Sequence, residues 1–150
     1  MRVLLIEDNP DHAELAQRAL RDWGGGATVH WVRDGEEALD LLCRRGRYAD
    51  GPGGPHPELV LLDIKLPKMS GHEVLGQIKS DEKLRAIPVV IVTTSVSENE
   101  VAKCLGMGAS QCVAKPLRPA DMVEISARLN AASSAEAEPS AGSGRPPDGA

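Results

Sequence analysis

The chain contains no Phe, one Tyr and two Trp, so aromatic residues make up only 2 % of its 150 positions. Readers of single-stranded RNA or DNA stack bases on aromatic platforms, and there is little here to build one from. Positive charge is not in excess either: 17 Lys and Arg stand against 22 Asp and Glu, for a formal net charge of −5. A surface that follows a phosphate backbone needs clustered basic residues, so no direct nucleic-acid partner is expected. Cysteine is sparse. Cys43, Cys104 and Cys112 are odd in number and form no C-x-x-C pair, which argues against a disulfide framework and against a zinc cluster. The expectation is small apolar thiols in a reducing compartment. Long apolar runs are missing too. Nowhere do about 18 apolar residues follow one another, and the N-terminal Val3-Leu-Leu-Ile6 meets Glu7 and Asp8 too soon for a signal peptide. A cytoplasmic protein with no membrane association is expected.

What is present is an ordinary globular balance, 41 % hydrophobic and 26 % charged, enough to close a core. Residues 132–150 contain five Ala, four Ser, three Gly and three Pro but no Val, Ile, Leu or Met. Such a segment has nothing to bury against its ordering entropy, so a domain over 1–131 with a disordered tail over 132–150 is expected. Tyr48–Pro57, with Gly or Pro at six of ten positions, reads as a surface loop.

Within 1–131, apolar runs and helical patterns alternate five times. Val3–Ile6, Leu59–Leu62 and Val89–Val92 are continuous apolar runs, as strands covered on both faces require. Thr28–Val32 and Gln111–Ala114 are weaker strand candidates. Between the strands, apolar residues recur at helical spacing: Ala13, Ala16, Leu20 and Trp23; Ala38, Leu41 and Leu42; Val74, Leu75 and Ile78; Val101, Cys104 and Leu105; Met122, Ile125 and Leu129. Asp34–Glu37, Ser70–Glu73 and Ser97–Glu100 each fit a capping box, and Pro10 and Pro119 fit the first helical position. The alternation predicts an α/β fold, a doubly wound parallel sheet of five βα units with right-handed crossovers.

Ligands of such sheets bind beyond the C-terminal strand ends, where strand order reverses. Strand one ends in Glu7-Asp8, strand three in Asp63, strand four in Thr93-Thr94 and strand five in Lys115-Pro116. If strands one and three are neighbours, three carboxylates, a hydroxyl and an ammonium face one crevice. Crowded carboxylates repel, and a divalent cation removes the repulsion. Oxygen ligands without His or Cys point to Mg²⁺, with a place left for a phosphoryl oxygen. Lys and Thr suit the remaining phosphoryl oxygens. Taken singly, each of these features has a bland explanation as a helix cap or a strand former. Their joint placement at successive strand ends does not.

These residues lie in the motifs Leu5-Ile-Glu-Asp-Asn-Pro10, Leu61-Leu-Asp-Ile-Lys-Leu-Pro-Lys-Met-Ser-Gly71, Val92-Thr-Thr-Ser95 and Val113-Ala-Lys-Pro-Leu117. Over residues 1 to about 131 the sequence resembles the receiver domain of bacterial two-component response regulators. The Glu-Asp-Asn-Pro-Asp-His opening, the long loop before strand three and Ile87–Ser95 more narrowly resemble single-domain regulators that partner phytochrome-type histidine kinases. The resemblance implies a flavodoxin-like sheet of order 2-1-3-4-5. It implies Asp63 as the phosphoacceptor for a kinase phosphohistidine, Asp8 and Asp63 as direct Mg²⁺ ligands with the Lys65 backbone carbonyl, and Glu7 acting mostly through water. Thr93 would meet the phosphoryl oxygen, with Thr94 in the adjacent small-residue position, and Lys115 would pair with the phosphoryl group. It further implies a cis Lys115–Pro116 peptide, and a Gly71 turn that needs positive φ or tight approach. Lys65 and Ser95 would flank the path of hydrolysing water. Kinases of this class dock beside helix one, where His12, Leu15 and Ala16 lie.

Two departures stand out. Many receivers carry Tyr or Phe three residues before the lysine; here that position is Cys112, and Leu117 replaces the Phe of Lys-Pro-Phe. The expected role is that of a non-enzymatic switch acting by phosphorelay or phosphorylation-controlled binding, with a sensor histidine kinase as partner, a bacteriophytochrome by the narrower resemblance. A homodimer through helix four, strand five and helix five would use some of Val101, Leu105, Cys112, Leu117 and Met122, most of which are expected as ordinary core residues. The competing readings are an Asp-nucleophile phosphatase or phosphotransferase, and a degenerate receiver serving only as a binding module. The first needs a second carboxylate two residues after its nucleophile, where this chain has Lys65. The second is opposed by the complete chemical set.

Overall fold

Five parallel strands form one sheet in the order β2-β1-β3-β4-β5, as the resemblance implies. In the computed structural model, residues 1–49, 56–94 and 96–137 are described. The elements run β1 Arg2–Ile6, α1 Pro10–Trp23, β2 Thr28–Val32, α2 Gly35–Cys43, a short 3₁₀ turn Gly46–Tyr48, β3 Leu59–Leu62, α3 Gly71–Ser80, β4 Val89–Thr93, α4 Glu98–Gly106, β5 Gln111–Ala114 and α5 Pro119–Ala137. Ser95 and most of the glycine- and proline-rich loop (50–55) lie outside the described residues.

Strand alternation builds the core in two layers. Leu4, Ile6, Val60, Leu62, Val89 and Ile91 face α2, α3 and α4, where Leu39, Leu75, Ile78 and Cys104 meet them. Val3, Leu5, Leu59, Leu61, Val90 and Val92 face α1 and α5, against Ala16, Leu20, Met122 and Ile125. With both faces covered, β3 and β4 are buried along their whole length. Each such Leu or Ile contributes about 1.5–3 kcal/mol of transfer free energy. The weaker patterns of β2 and β5 belong to the two sheet edges.

Helix ends hold one surprise each way. Asn9 caps α1, its side chain accepting from the N–H groups of Asp11 and His12 ahead of Pro10. Ser70 and Glu73 form a reciprocal capping box. Asp34 and Ser97 also cap, accepting from Glu37 N and Glu100 N, but their glutamates do not close the box; Glu37 Oε1 accepts instead from the Arg33 N–H, one residue before the cap, at 3.4 Å. Glu37 is engaged by Arg47 and Tyr48, and Glu100 by His72. Two of the three expected boxes are therefore one-sided. At the C-terminus α5 runs on to Ala137, so the boundary expected at 131 is too early. Ala has the best helix propensity, and no Pro or Gly interrupts the chain before Pro139. The remainder of the tail, 138–150, lies outside the described residues.

Candidate functional site

The C-terminal ends of β1, β3 and β5 bring Glu7, Asp63 and Lys115 together beside His12 of α1, and Thr93 ends the adjacent β4, level with Ala114 of β5. Parallel pairing of β1 with β3 sets Ile6 beside Leu62, so the next residues of both strands emerge side by side. The Asp63 N–H donates to the Ile6 carbonyl at 3.1 Å, and the Lys115 N–H to the Thr93 carbonyl at 2.9 Å. These bonds carry the sheet ladder one step past the strands and fix the backbone under the site. Among the described residues, Glu7, Asp63 and Thr93 are the buried polar side chains, 3 %, 7 % and 2 % exposed, whereas Asp8 is exposed.

Lys115 binds the carboxylates together. Its Nζ lies 2.5 Å from Glu7 Oε1 and 3.1 Å from Asp63 Oδ2. It also lies 3.1 Å from His12 Nδ1. Because the ammonium can only donate, Nδ1 accepts, which assigns the ring proton to Nε2. The second oxygen of Glu7 accepts the Asn9 N–H at 3.1 Å, and Asp63 Oδ1 accepts the Lys65 N–H at 3.2 Å. Burial pushes the Glu7 carboxyl above its ordinary value of 4.5, opposed by the bonds from Lys115 and the Asn9 N–H and reinforced by the Asp63 charge.

The turn after β3 is shaped by Gly71. A Cβ there would stand 2.4 Å from the Asp63 carbonyl oxygen and 2.5 Å from Ile64 Cα. Of the two reasons expected for this glycine, close approach is the one that applies. The Lys115–Pro116 peptide is cis. Thr94, His12, Leu15 and Ala16 line a cavity of about 190 Å³ together with Glu7, Asp63 and Lys115. The Lys65 side chain is exposed and only its backbone N–H reaches Asp63. His12 is placed by the sequence near the acidic pocket, on the helix beside which a kinase docks, and is given no partner there. Its bond to Lys115 reaches across 103 positions of sequence, and no local pattern signals it.

Glu7, Asp8 and Asp63 each offer an oxygen within 4.8 Å of the others. Three carboxylates against one ammonium leave a surplus of two negative charges, the charge of one divalent cation. An oxygen-only donor set suits a hard cation of the Mg²⁺, Mn²⁺ or Ca²⁺ type, so these residues fit the group that the sequence implies.

The family described as response regulator receiver domain matches residues 3–127. "Probable methanogenesis regulatory protein FilR2" of Methanothrix harundinacea (strain 6Ac) is 45 % identical over 120 residues, 80 % of this chain and 75 % of that protein. Response regulator Rcp1 of Synechocystis sp. is 39 % identical over 99 residues, 66 % of this chain and 65 % of that protein. The Mn²⁺-bound structure of Rcp1 matches with a TM-score of 0.69 at 33 % identity, covering 83 % of this chain and 87 % of that one. The bacteriophytochrome response regulator AtBRR matches with a TM-score of 0.78 at 40 % identity, covering 86 % of this chain and 91 % of that one.

Proposed function

This chain belongs to the response regulator receiver family, and from that membership we propose that it is a phosphoacceptor switch whose acceptor is Asp63. A carboxylate oxygen of Asp63 attacks the phosphorus of a kinase phosphohistidine. The P–O bond forms as the P–N bond breaks, and the histidine leaves with its electron pair and takes a proton. Lys115, already 3.1 Å from Asp63 Oδ2, moves its charge onto the incoming phosphoryl oxygens. Thr93, at the end of the neighbouring strand, donates its hydroxyl to another of them. Asp8, Asp63 and the Lys65 carbonyl would hold Mg²⁺ with Glu7 behind them. When bound, the cation neutralises carboxylate and phosphoryl charge. The Mn²⁺-bound state of Rcp1 supports a divalent cation of this kind here.

The observation that carries this reading is the convergence of Glu7, Asp8, Asp63 and Lys115 at one crevice. The position two residues beyond Asp63, from which an Asp-nucleophile phosphatase supplies its general acid, is Lys65 and carries no carboxylate. The output is phosphorylation-controlled binding or phosphorelay, not turnover of an external substrate. Similarity to AtBRR and to a second bacteriophytochrome response regulator, RtBRR, both 40 % identical, favours a bacteriophytochrome kinase as the donor, and a cytoplasmic location is proposed with it. A homodimer through α4, β5 and α5 is proposed on the exposed Leu105.

Incubation with Mg²⁺ and acetyl phosphate, read by intact mass, tests the assignment. One phosphoryl group is expected, absent in EDTA and absent in Asp63→Asn. Labelling that persists in that variant overturns the acceptor.

A further inference from the structure

A second donor cluster lies on the opposite face of the sheet, away from the carboxylates of the phosphoryl site. His72 stands in the first turn of α3, Glu100 and Cys104 one turn apart on α4, and Cys112 on β5. His72 Nε2 lies 2.5 Å from Glu100 Oε2, and the Cys104 thiol donates to the same oxygen at 3.4 Å. One donor atom from each of His72, Glu100 and Cys104 falls within 4.8 Å of the other two. Cys112 packs against the same buried cluster that holds Cys104, which brings a second sulfur to its neighbourhood.

We propose that His72, Glu100 and Cys104 form a binding site for a thiophilic divalent cation of the Zn²⁺ class. The donors themselves decide the class. Nitrogen, sulfur and one carboxylate oxygen suit zinc, with Zn–N and Zn–O near 2.0–2.2 Å and Zn–S near 2.3 Å, and they suit Mg²⁺ poorly. Those bond lengths put tetrahedral ligands about 3.4–3.8 Å apart, so closing the cluster needs side-chain movements of about 1 Å. The spacing of Glu100 and Cys104 sets both on one face of α4, as neighbouring turns of a helix do. The carboxylate and a Cys104 thiolate together neutralise a divalent charge, and the displaced thiol proton passes to solvent. His72 and Glu100 are partly exposed at 19 % and 25 %, while Cys104 is fully buried. The ion therefore enters from the His72–Glu100 side and seats against the sulfur, with Cys112 or water in the fourth position. Bound there, it ties α3 to α4, beside the strand that carries Lys115.

The test uses tag-free full-length protein in excess Mg²⁺, which keeps the carboxylate site occupied, titrated with Co²⁺ as a spectroscopic substitute for Zn²⁺. One Co²⁺ per chain is expected, with visible bands of a tetrahedral ion, a near-ultraviolet thiolate-to-cobalt band, and displacement of both by equimolar Zn²⁺. Cys104→Ser should abolish the thiolate band. His72→Gln, at the partly exposed end of α3, should weaken Zn²⁺ binding by more than the ~10–100-fold that outer-shell changes cost. Far-UV circular dichroism checks that both variants fold. Cys43→Ser, which alters the exposed cysteine, and Asp63→Asn should leave the spectrum unchanged, so the result stands apart from the fate of the phosphoacceptor assignment. No thiolate band in the parent protein, or a band that survives Cys104→Ser or vanishes in Cys43→Ser, overturns the site and leaves His72–Glu100 as an ion pair between helices.

Discussion

Lys115 is the residue on which the phosphoryl site balances. It satisfies two buried carboxylates at once, and removing one member of such a buried pair costs about 3–5 kcal/mol. Asp8 is different. It is exposed and adds negative charge next to Glu7 and Asp63, without an ion pair of its own among the described residues. Asp8→Asn should therefore raise the stability of the metal-free protein by about 0.5–1 kcal/mol, and it should erase the added stability that Mg²⁺ brings to the parent. Thermal unfolding in EDTA and in Mg²⁺ measures both effects. Glu100 gives a pH prediction. The His72 bond holds its carboxyl below the ordinary 4.5. A lowered folded value means that the stability is fully present above 4.5 and lost as pH falls through the folded value. In EDTA, His72→Gln should flatten that acid limb in denaturant unfolding while its own stability changes little below it. Cys112 stands where many receivers are expected to carry an aromatic residue. The half-buried thiol packs against the core cluster that includes Cys104.

At the scale of elements, each strand delivers its chemistry through parity. Residues of β1 and β3 alternate between the two core layers. The steps after Ile6 and Leu62 therefore put Glu7 and Asp63 on the α1 and α5 side, where Val113 also places Lys115 two positions on. This explains why His12 of α1 reaches the site and the α3 side chains do not. The loop from Asp63 to α3 is held by contact with backbone. Gly71→Ala would force a methyl group against the Asp63 carbonyl. A cost of about 1–3 kcal/mol is expected from the overpacking, together with slower acetyl-phosphate labelling at Asp63. Chemical denaturation and timed intact mass check the pair of effects. A normal labelling rate with unchanged stability would show that the loop yields freely. Strand existence and helix starts were legible because apolar runs and caps are local signals. The one-sided boxes at Glu37 and Glu100 were not, because their glutamates are drawn off by Arg47, Tyr48 and His72 from other elements.

For the whole molecule, the open question of surface is the α4–β5–α5 face. Leu117 and Met122, expected as candidates for a dimer patch, are buried in the core at 4 % and 0 %. Leu105 and Val123 are the large apolar residues exposed there, at 46 % and 58 %. Two such side chains make a small patch, below the size that marks stable interfaces. The unphosphorylated protein is therefore expected to be a monomer, with dimerisation appearing on phosphorylation and weakened by Leu105→Ser. Size-exclusion light scattering with and without a phosphoryl analogue reads this directly, and a monomer in both states removes the dimer. The sequence by itself determined the strands, the order of chemistry at their ends and the acceptor motif, since each rests on residues within a few positions of one another. It also pointed away from a zinc cluster, on cysteine spacing alone. Tertiary structure decided what depends on distant residues meeting: the Lys115–His12 bond, which glutamates close their caps, and the convergence of His72, Glu100 and Cys104. Sequence spacing records neighbours along the chain, and those groups become neighbours only when the sheet and its helices pack.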